Sequence, residues 1–130
     1  TGMLLFPGEA EMYRGEDGFT LVDSPHGTIL VCEGRCSRAN LPLACRMFPL
    51  VMLLRPDGVK IATDAAAQSV CPLARQGKSA LSQDFVAAVR QAANLLAQDD
   101  QQAAHLRRLT DMQDELKALR AQYRGRKEHV

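Results

Sequence analysis

Residues 48–63 have the sequence FPLVMLLRPDGVKIAT, in which two apolar runs flank a cluster of turn residues. Between them, Pro56, Asp57 and Gly58 follow one another in the order that a type I turn followed by a bulge prefers. This pattern predicts a β-hairpin with strands over residues 48–54 and 59–63.

A second hairpin is predicted upstream of the first. Residues 19–22 and 28–32 are β-rich, and residues 23–27, DSPHG, form a turn cluster between them. The second of these strands is expected to end at Cys32. Residues 8–14 are expected to form a short helix that ends at Gly15, and residues 33–43 a loop that contains Cys36.

Two helices are predicted in the C-terminal part of the chain, where alanine, glutamine and leucine predominate. Ser82 is a suitable N-cap for a helix that continues to about Gln98. A final helix is predicted over residues 100–123, ended by Gly125. Its apolar residues recur at steps of three and four: Leu106, Leu109, Met112, Leu116, Leu119 and Tyr123. We call this series the seam. We expect it to pack on the preceding helix or on the hairpins, or else to join two copies of the chain.

Together these elements predict an α+β fold with two short β-hairpins and a cysteine-bearing loop, followed by two C-terminal α-helices. The chain has 130 residues, which suits one domain or one domain with a helical extension. We expect a cysteine-cluster domain over residues 1–80. The helical extension, residues 81–130, is expected to pack on that domain or to bind a second copy of the chain or another protein.

The composition is that of an ordinary globular protein, with 46% hydrophobic and 24% charged residues. The formal net charge is only +1, so the chain lacks the positive field typical of nucleic-acid or membrane-surface binding. No apolar run approaches the about 20 residues that a membrane-spanning helix needs, and no secretory signal is visible. We therefore expect no nucleic-acid partner, no membrane association and a cytoplasmic location.

The four cysteines, Cys32, Cys36, Cys45 and Cys71, are the most informative residues of the chain. They are few for a disulfide-stapled secreted domain, so we expect a reducing compartment. Cys32 and Cys36 flank Gly34, which permits a tight turn, and thiolates from separate loops can hold one ion in a tetrahedron. The spacing favours a four-cysteine metal site, with buried thiols, a redox pair and disulfides as alternatives.

Arginines lie close to these cysteines in the sequence, at positions 35, 38 and 46. Four thiolates around a divalent ion carry net negative charge, which nearby guanidinium groups offset. We expect Arg46 to give such support to the metal site.

The three histidines are not grouped with the cysteines. His26 lies in the turn cluster at residues 23–27, where we expect it to face water, with replacement of a cysteine ligand as the alternative. His105 and His129 are expected on the surface of the last helix and the tail.

Residues 41–49, LPLACRMFP, contain the element Cys45-Arg46-Met47-Phe48-Pro49. This element resembles the central signature of the CxxCxxCC (YkgJ-like) cysteine-cluster family, whose members are described as zinc- or iron-chelating domains. Cys32 and Cys36 match the cysteines before the signature, and Cys71, which precedes a proline, matches the one after it. Residues 5–9, LFPGE, resemble the family's short helix entry, so the resemblance covers roughly residues 1–80.

In that family further cysteines lie upstream of the segment that matches residues 1–9, and this chain has none there. The resemblance implies a zinc ion or an iron–sulfur cluster, and the self-contained set of four cysteines slightly favours zinc. No residues form a visible catalytic grouping. We therefore expect a metal-binding protein with a mainly structural site, and an iron–sulfur redox protein or oxidoreductase component as the alternative.

Overall fold

The structure, a computed structural model, describes residues 2–15, 18–32, 41–67 and 81–128, with side chains except at Cys32 and residues 123–128. The chain divides into two compact units, Thr1–Phe48 and Pro49–Val130. The described elements are β1 (Gly2–Leu4), α1 (Ala10–Tyr13), β2 (Phe19–Ser24), β3 (Gly27–Cys32), α2 (Leu43–Arg46), β4 (Leu50–Arg55), β5 (Gly58–Thr63), α3 (Gln83–Leu96) and α4 (Asp100–Glu128). The predicted α+β class, with two hairpins and two C-terminal helices, is confirmed.

The first unit contains a three-stranded antiparallel sheet in the order β1-β3-β2. The predicted hairpin is its β2–β3 pair, in which Ser24 stands opposite Gly27 and Phe19 opposite Cys32. β1 was not predicted, because residues 3–6 form an apolar run too short to distinguish a strand from other buried structure. β3 is therefore the central strand, and Cys32 is its last residue.

The core of the first unit includes a cluster of Leu5, Tyr13 and Leu30, each at most 5% exposed. The Tyr13 ring meets Phe19 edge-on, with centroids 5.2 Å apart, a favourable arrangement for aromatic pairs. α1 is shorter than predicted but lies within the expected range, and Gly15 follows it with a φ of +83°. That conformation suits glycine at a helix end.

The second unit begins with the β4–β5 hairpin, whose two strands were predicted and are joined by Pro56 and Asp57. The pairing is continuous from Leu50 and Thr63 to Arg55 and Gly58, so the bulge predicted after the turn is absent. Arg55 stands opposite Gly58, whose φ of +128° is a conformation that favours glycine. The first strand begins at Leu50 rather than at Phe48. Pro49 lies between these residues and has no N–H to contribute to a sheet.

The two long helices pack against this hairpin, α3 on β4 and β5 and α4 on β4. α3 begins as predicted, since the hydroxyl of Ser82 accepts a 3.4 Å hydrogen bond from the N–H of Phe85. The predicted end of α4 at Gly125 is wrong, because the helix continues to Glu128. A single glycine costs about 1 kcal/mol of helix propensity without preventing helical geometry.

The buried face of α4 differs from the seam. Ala103, Leu106, Thr110 and Gln113 are buried, at steps of three and four. Among the seam residues whose side chains the structure describes, only Leu106 is buried, whereas Leu119 is 61% exposed. α4 therefore docks through a face that includes polar side chains, which hydrophobic periodicity does not identify.

Candidate metal centre

Cys32, the first predicted ligand, ends the central strand of the first unit. Its backbone stands opposite Phe19, and the preceding residue, Val31, stands opposite Gly2 on β1. The prediction that a hairpin ends at this cysteine is confirmed.

Cys45 is the third residue of α2, a short helix within the segment that resembles the family signature. Its side chain is half-buried. α2 contacts β1, and β1 pairs with β3. Residue 43 was predicted to be the end of a loop, but it begins this helix. Pro42 is the sequence feature that indicates the start of this helix, because proline is favoured at the start of helices.

The side chain of Glu9 attaches α2 to the N-terminal segment. One carboxylate oxygen, Oε1, accepts a 2.7 Å hydrogen bond from the N–H of Phe6, and the other, Oε2, accepts one of 2.9 Å from the N–H of Leu43. Glu9 and Leu43 are 34 residues apart, so sequence reasoning missed this contact.

Arg46, the predicted charge support, is exposed. Its Nε donates a 3.0 Å hydrogen bond to the carbonyl of Leu41, just before α2 begins. This bond keeps the guanidinium beside the helix that contains Cys45. Its role toward a metal remains a prediction.

The remaining predicted ligands, Cys36 and Cys71, lie outside the described residues, as do Arg35, Arg38 and His129. Among the side chains that the structure describes, no three histidine, cysteine, aspartate or glutamate residues are grouped so as to hold a metal ion. Because Cys32, Cys36 and Cys71 have no described side chain, the four-cysteine site stays a prediction.

The two described histidines differ in environment. His26 is exposed in the β2–β3 turn. Its backbone N–H donates a 3.3 Å hydrogen bond to the hydroxyl of Ser24. His105, which was predicted at the surface, is 1% exposed, so that prediction is wrong. Burial, with a smaller contribution from Arg108, lowers the pKa of His105 to about 4. Its imidazole is therefore neutral at physiological pH.

The second unit contains an open cavity of about 510 Å³ between the β4–β5 turn and α4. Arg55, Pro56, Arg107, Thr110 and Asp111 are among the residues that line it. Arg55 is already bound to Asp114, with N–O distances of 2.7 and 2.9 Å. The cavity lining thus mixes charges of both signs, and it shows no clear preference for a ligand of one charge.

The chain matches no family model, no curated protein and no solved structure. The resemblance to the cysteine-cluster family accordingly stays a prediction. In the described residues, every helix is too short or too polar to cross a lipid bilayer.

Proposed function

We propose that this chain is a metal-binding protein in which Cys32, Cys36, Cys45 and Cys71 hold a mainly structural metal. One observation from the structure supports this most directly. The helix that contains Cys45 contacts β1, and β1 pairs with the strand that ends at Cys32. Two elements with predicted ligands thus adjoin the same strand, although 13 positions separate the two cysteines in the sequence.

The chemistry of the donor set fits two kinds of metal group. Four thiolates suit zinc in a tetrahedral structural site, and they also suit an iron–sulfur cluster. We favour zinc slightly, because four cysteines complete its coordination. Such a closed site leaves no position for substrate, so hydrolytic chemistry is not expected.

The small size of the predicted cysteine-cluster domain, residues 1–80, supports a structural role for the metal. Binding of structural zinc contributes about 10 kcal/mol or more to folding in small metal-dependent domains. The thiolates must remain reduced to bind the metal, which agrees with the cytoplasmic location that the sequence predicts.

Metal content and thermal unfolding test this proposal. Cys45→Ser is expected to lower the metal bound per chain and the melting temperature. Ala44→Ser is the matched control, because it introduces the same hydroxyl at a half-buried neighbouring position of α2. In the segment that the sequence predicts to be a loop, Cys36→Ala is compared with Ser37→Ala. Cysteine variants that keep full metal content and the parental melting temperature would refute the proposal.

The iron–sulfur redox alternative is tested by anaerobic purification. A brown protein that absorbs near 400 nm and contains stoichiometric iron and sulfide supports a redox protein or oxidoreductase component. A colourless protein with one zinc ion supports the structural site instead.

Self-association through α4 is a second candidate function, and the exposure of Leu119 favours it. Leu119 is 61% exposed although it belongs to a series of apolar residues at helical spacing. Glu115 and Arg120 flank the seam, and at heptad spacing these positions face each other across two parallel copies. Opposite charges there favour pairing of the chain with itself.

Sedimentation of the full chain tests this candidate. A dimer that Leu119→Glu converts to a monomer supports self-association, provided that Ala118→Glu, an exposed neighbour off the seam, leaves the dimer intact. A wild-type chain that stays monomeric at high concentration excludes it.

A further inference from the structure

The carboxylate of Glu9 bridges two segments of the first unit. Its two oxygens accept hydrogen bonds from N–H groups in separate segments, Phe6 at 2.7 Å and Leu43 at 2.9 Å. Glu9 is half-buried. A half-buried carboxylate with two backbone donors is well satisfied and fixed in position.

α2 depends on such a partner because it has only four residues. Isolated helices this short are unstable, since the cost of nucleation is not recovered over one turn. The N-cap residue, Pro42, provides no side-chain hydrogen bond to the helix. Glu9, 34 residues away in the sequence, provides the hydrogen-bond acceptor that the side chain of an N-cap residue normally provides. Its negative charge also interacts favourably with the helix N-terminus.

Glu9 is itself anchored to the sheet. Its N–H donates a 3.0 Å hydrogen bond to the carbonyl of Phe6, so the segment closes on itself in a tight turn. Leu5 and Phe6 are 3% and 4% exposed. The N–H of Leu5 also donates a 2.9 Å hydrogen bond to the carbonyl of Thr28 on β3. The carboxylate is therefore attached to the strand that ends at Cys32.

We infer that Glu9 is a positioning residue for the metal site: its carboxylate fixes α2, and with it Cys45, relative to the strand that ends at Cys32. This inference rests on the proposed metal-binding function. Residues that orient metal ligands raise affinity because they reduce the rearrangement that binding requires.

Glu9→Gln is the principal variant, because the amide replaces one of the two acceptor oxygens with an NH₂ donor, which would face one of the two N–H groups. Glu9→Asp keeps the charge on a shorter side chain and serves as a second variant. The matched control is Glu11→Gln, which removes an equal charge two positions away. The carboxylate of Glu11 pairs with the exposed Arg14 on the protein surface.

Hydrogen exchange at the Leu43 amide reports on the bridge itself, with or without metal. Zinc affinity, measured by competition with a chelator, reports on the site. The cobalt(II) spectrum per bound ion reports on ligand geometry, which simple loss of folded protein would not alter. We expect both Glu9 variants to speed exchange, to weaken zinc binding about 10-fold and to change the cobalt spectrum, and Glu11→Gln to do none of these.

The outcomes separate this inference from the proposed function. Faster exchange with unchanged zinc affinity and cobalt spectrum would overturn the positioning role and leave the metal site in place. Unchanged exchange at Leu43, or unfolding of both Glu9 variants in the presence of zinc, would overturn it as well. A wild-type chain that binds neither zinc nor cobalt, yet shows faster exchange in Glu9→Gln, would refute the proposed metal function while retaining the bridge.

Discussion

The hydroxyl of Thr110 on α4 accepts a 2.9 Å hydrogen bond from the backbone N–H of Leu54 on β4. The same hydroxyl donates a 2.7 Å bond to the carbonyl of Leu106, one turn earlier in the helix. Leu54 stands opposite Val59, one pair beyond the pair that flanks the hairpin turn. In such a hairpin this N–H points away from the partner strand. Thr110 therefore satisfies an edge group of the sheet that would otherwise lose its hydrogen bond to water.

Replacement of Thr110 by valine tests this contact. Valine has nearly the same shape but no hydroxyl, and Thr110 is 5% exposed. The Leu54 N–H would lose its acceptor, so we expect Thr110→Val to lower the free energy of unfolding by about 1–3 kcal/mol. Urea denaturation measures the change. Thr110→Ser, which keeps the hydroxyl, should cost less than Thr110→Val, and the reverse order would contradict the hydrogen-bonding role.

Gln113 makes a second polar contact on the same face of α4. Its Oε1 accepts a 2.9 Å hydrogen bond from the N–H of Ala65, and its Nε2 donates one of 2.9 Å to Asp64. Ala65 is 1% exposed, so its N–H has little access to water. We expect Gln113→Met to lower the free energy of unfolding by about 1–3 kcal/mol. Gln101→Met, at an exposed position of the same helix, should have little effect, and equal losses in the two variants would disprove the specific contact.

These contacts explain why the sequence predicted some elements well and others poorly. Both hairpins and the start of α3 follow from local signals, namely strand-forming runs, turn residues and the Ser82 cap. The buried face of α4 does not, because Thr110 and Gln113 are polar and bury themselves through long-range hydrogen bonds. Hydrophobic spacing instead indicated the seam, which includes the exposed Leu119.

In the candidate site, too, local sequence patterns predict one feature, whereas another depends on a long-range contact. The position of Cys32 at a strand end follows from its hairpin, which the sequence predicts. The helix around Cys45 and the role of Glu9 depend on a contact between residues 34 positions apart. A single sequence contains no periodic pattern that reveals such a contact.

His105 should make stability depend on pH. Its ordinary pKa is 6.5, and the folded state lowers this to about 4, mainly by burial. Above pH 6.5 the imidazole is neutral in both states. As the pH falls from 6.5 toward 4, the unfolded chain binds a proton that the folded chain excludes, and stability is lost. We expect this loss to reach up to about 3 kcal/mol.

Denaturation of wild-type protein and His105→Leu at pH 7.5 and pH 5 isolates this effect. The variant should lose less stability than the wild type over that interval, because it lacks the titrating group. His26→Gln, in the exposed turn, should behave like the wild type. An identical pH dependence in His105→Leu and the wild type would show that His105 is not buried in its neutral form.

The ion pair between Arg55 and Asp114 gives a further prediction, about salt and acid. Both guanidinium Nη atoms donate to the carboxylate, at 2.7 and 2.9 Å, but the two side chains are 35% and 47% exposed. The hydrogen bond from Arg55 is the main cause that lowers the pKa of Asp114 below 3.8. The pair therefore stabilises the fold above that pH, and its contribution is lost as the pH falls through the lowered pKa.

We expect Asp114→Asn to destabilise the protein less than Thr110→Val does at pH 7, because solvent screens the exposed pair. The difference between Asp114→Asn and the wild type should shrink in 1 M NaCl, where the screening length is about 3 Å. Urea denaturation at low and high salt measures both, and a difference that salt leaves unchanged would show that Asp114 acts through packing rather than charge.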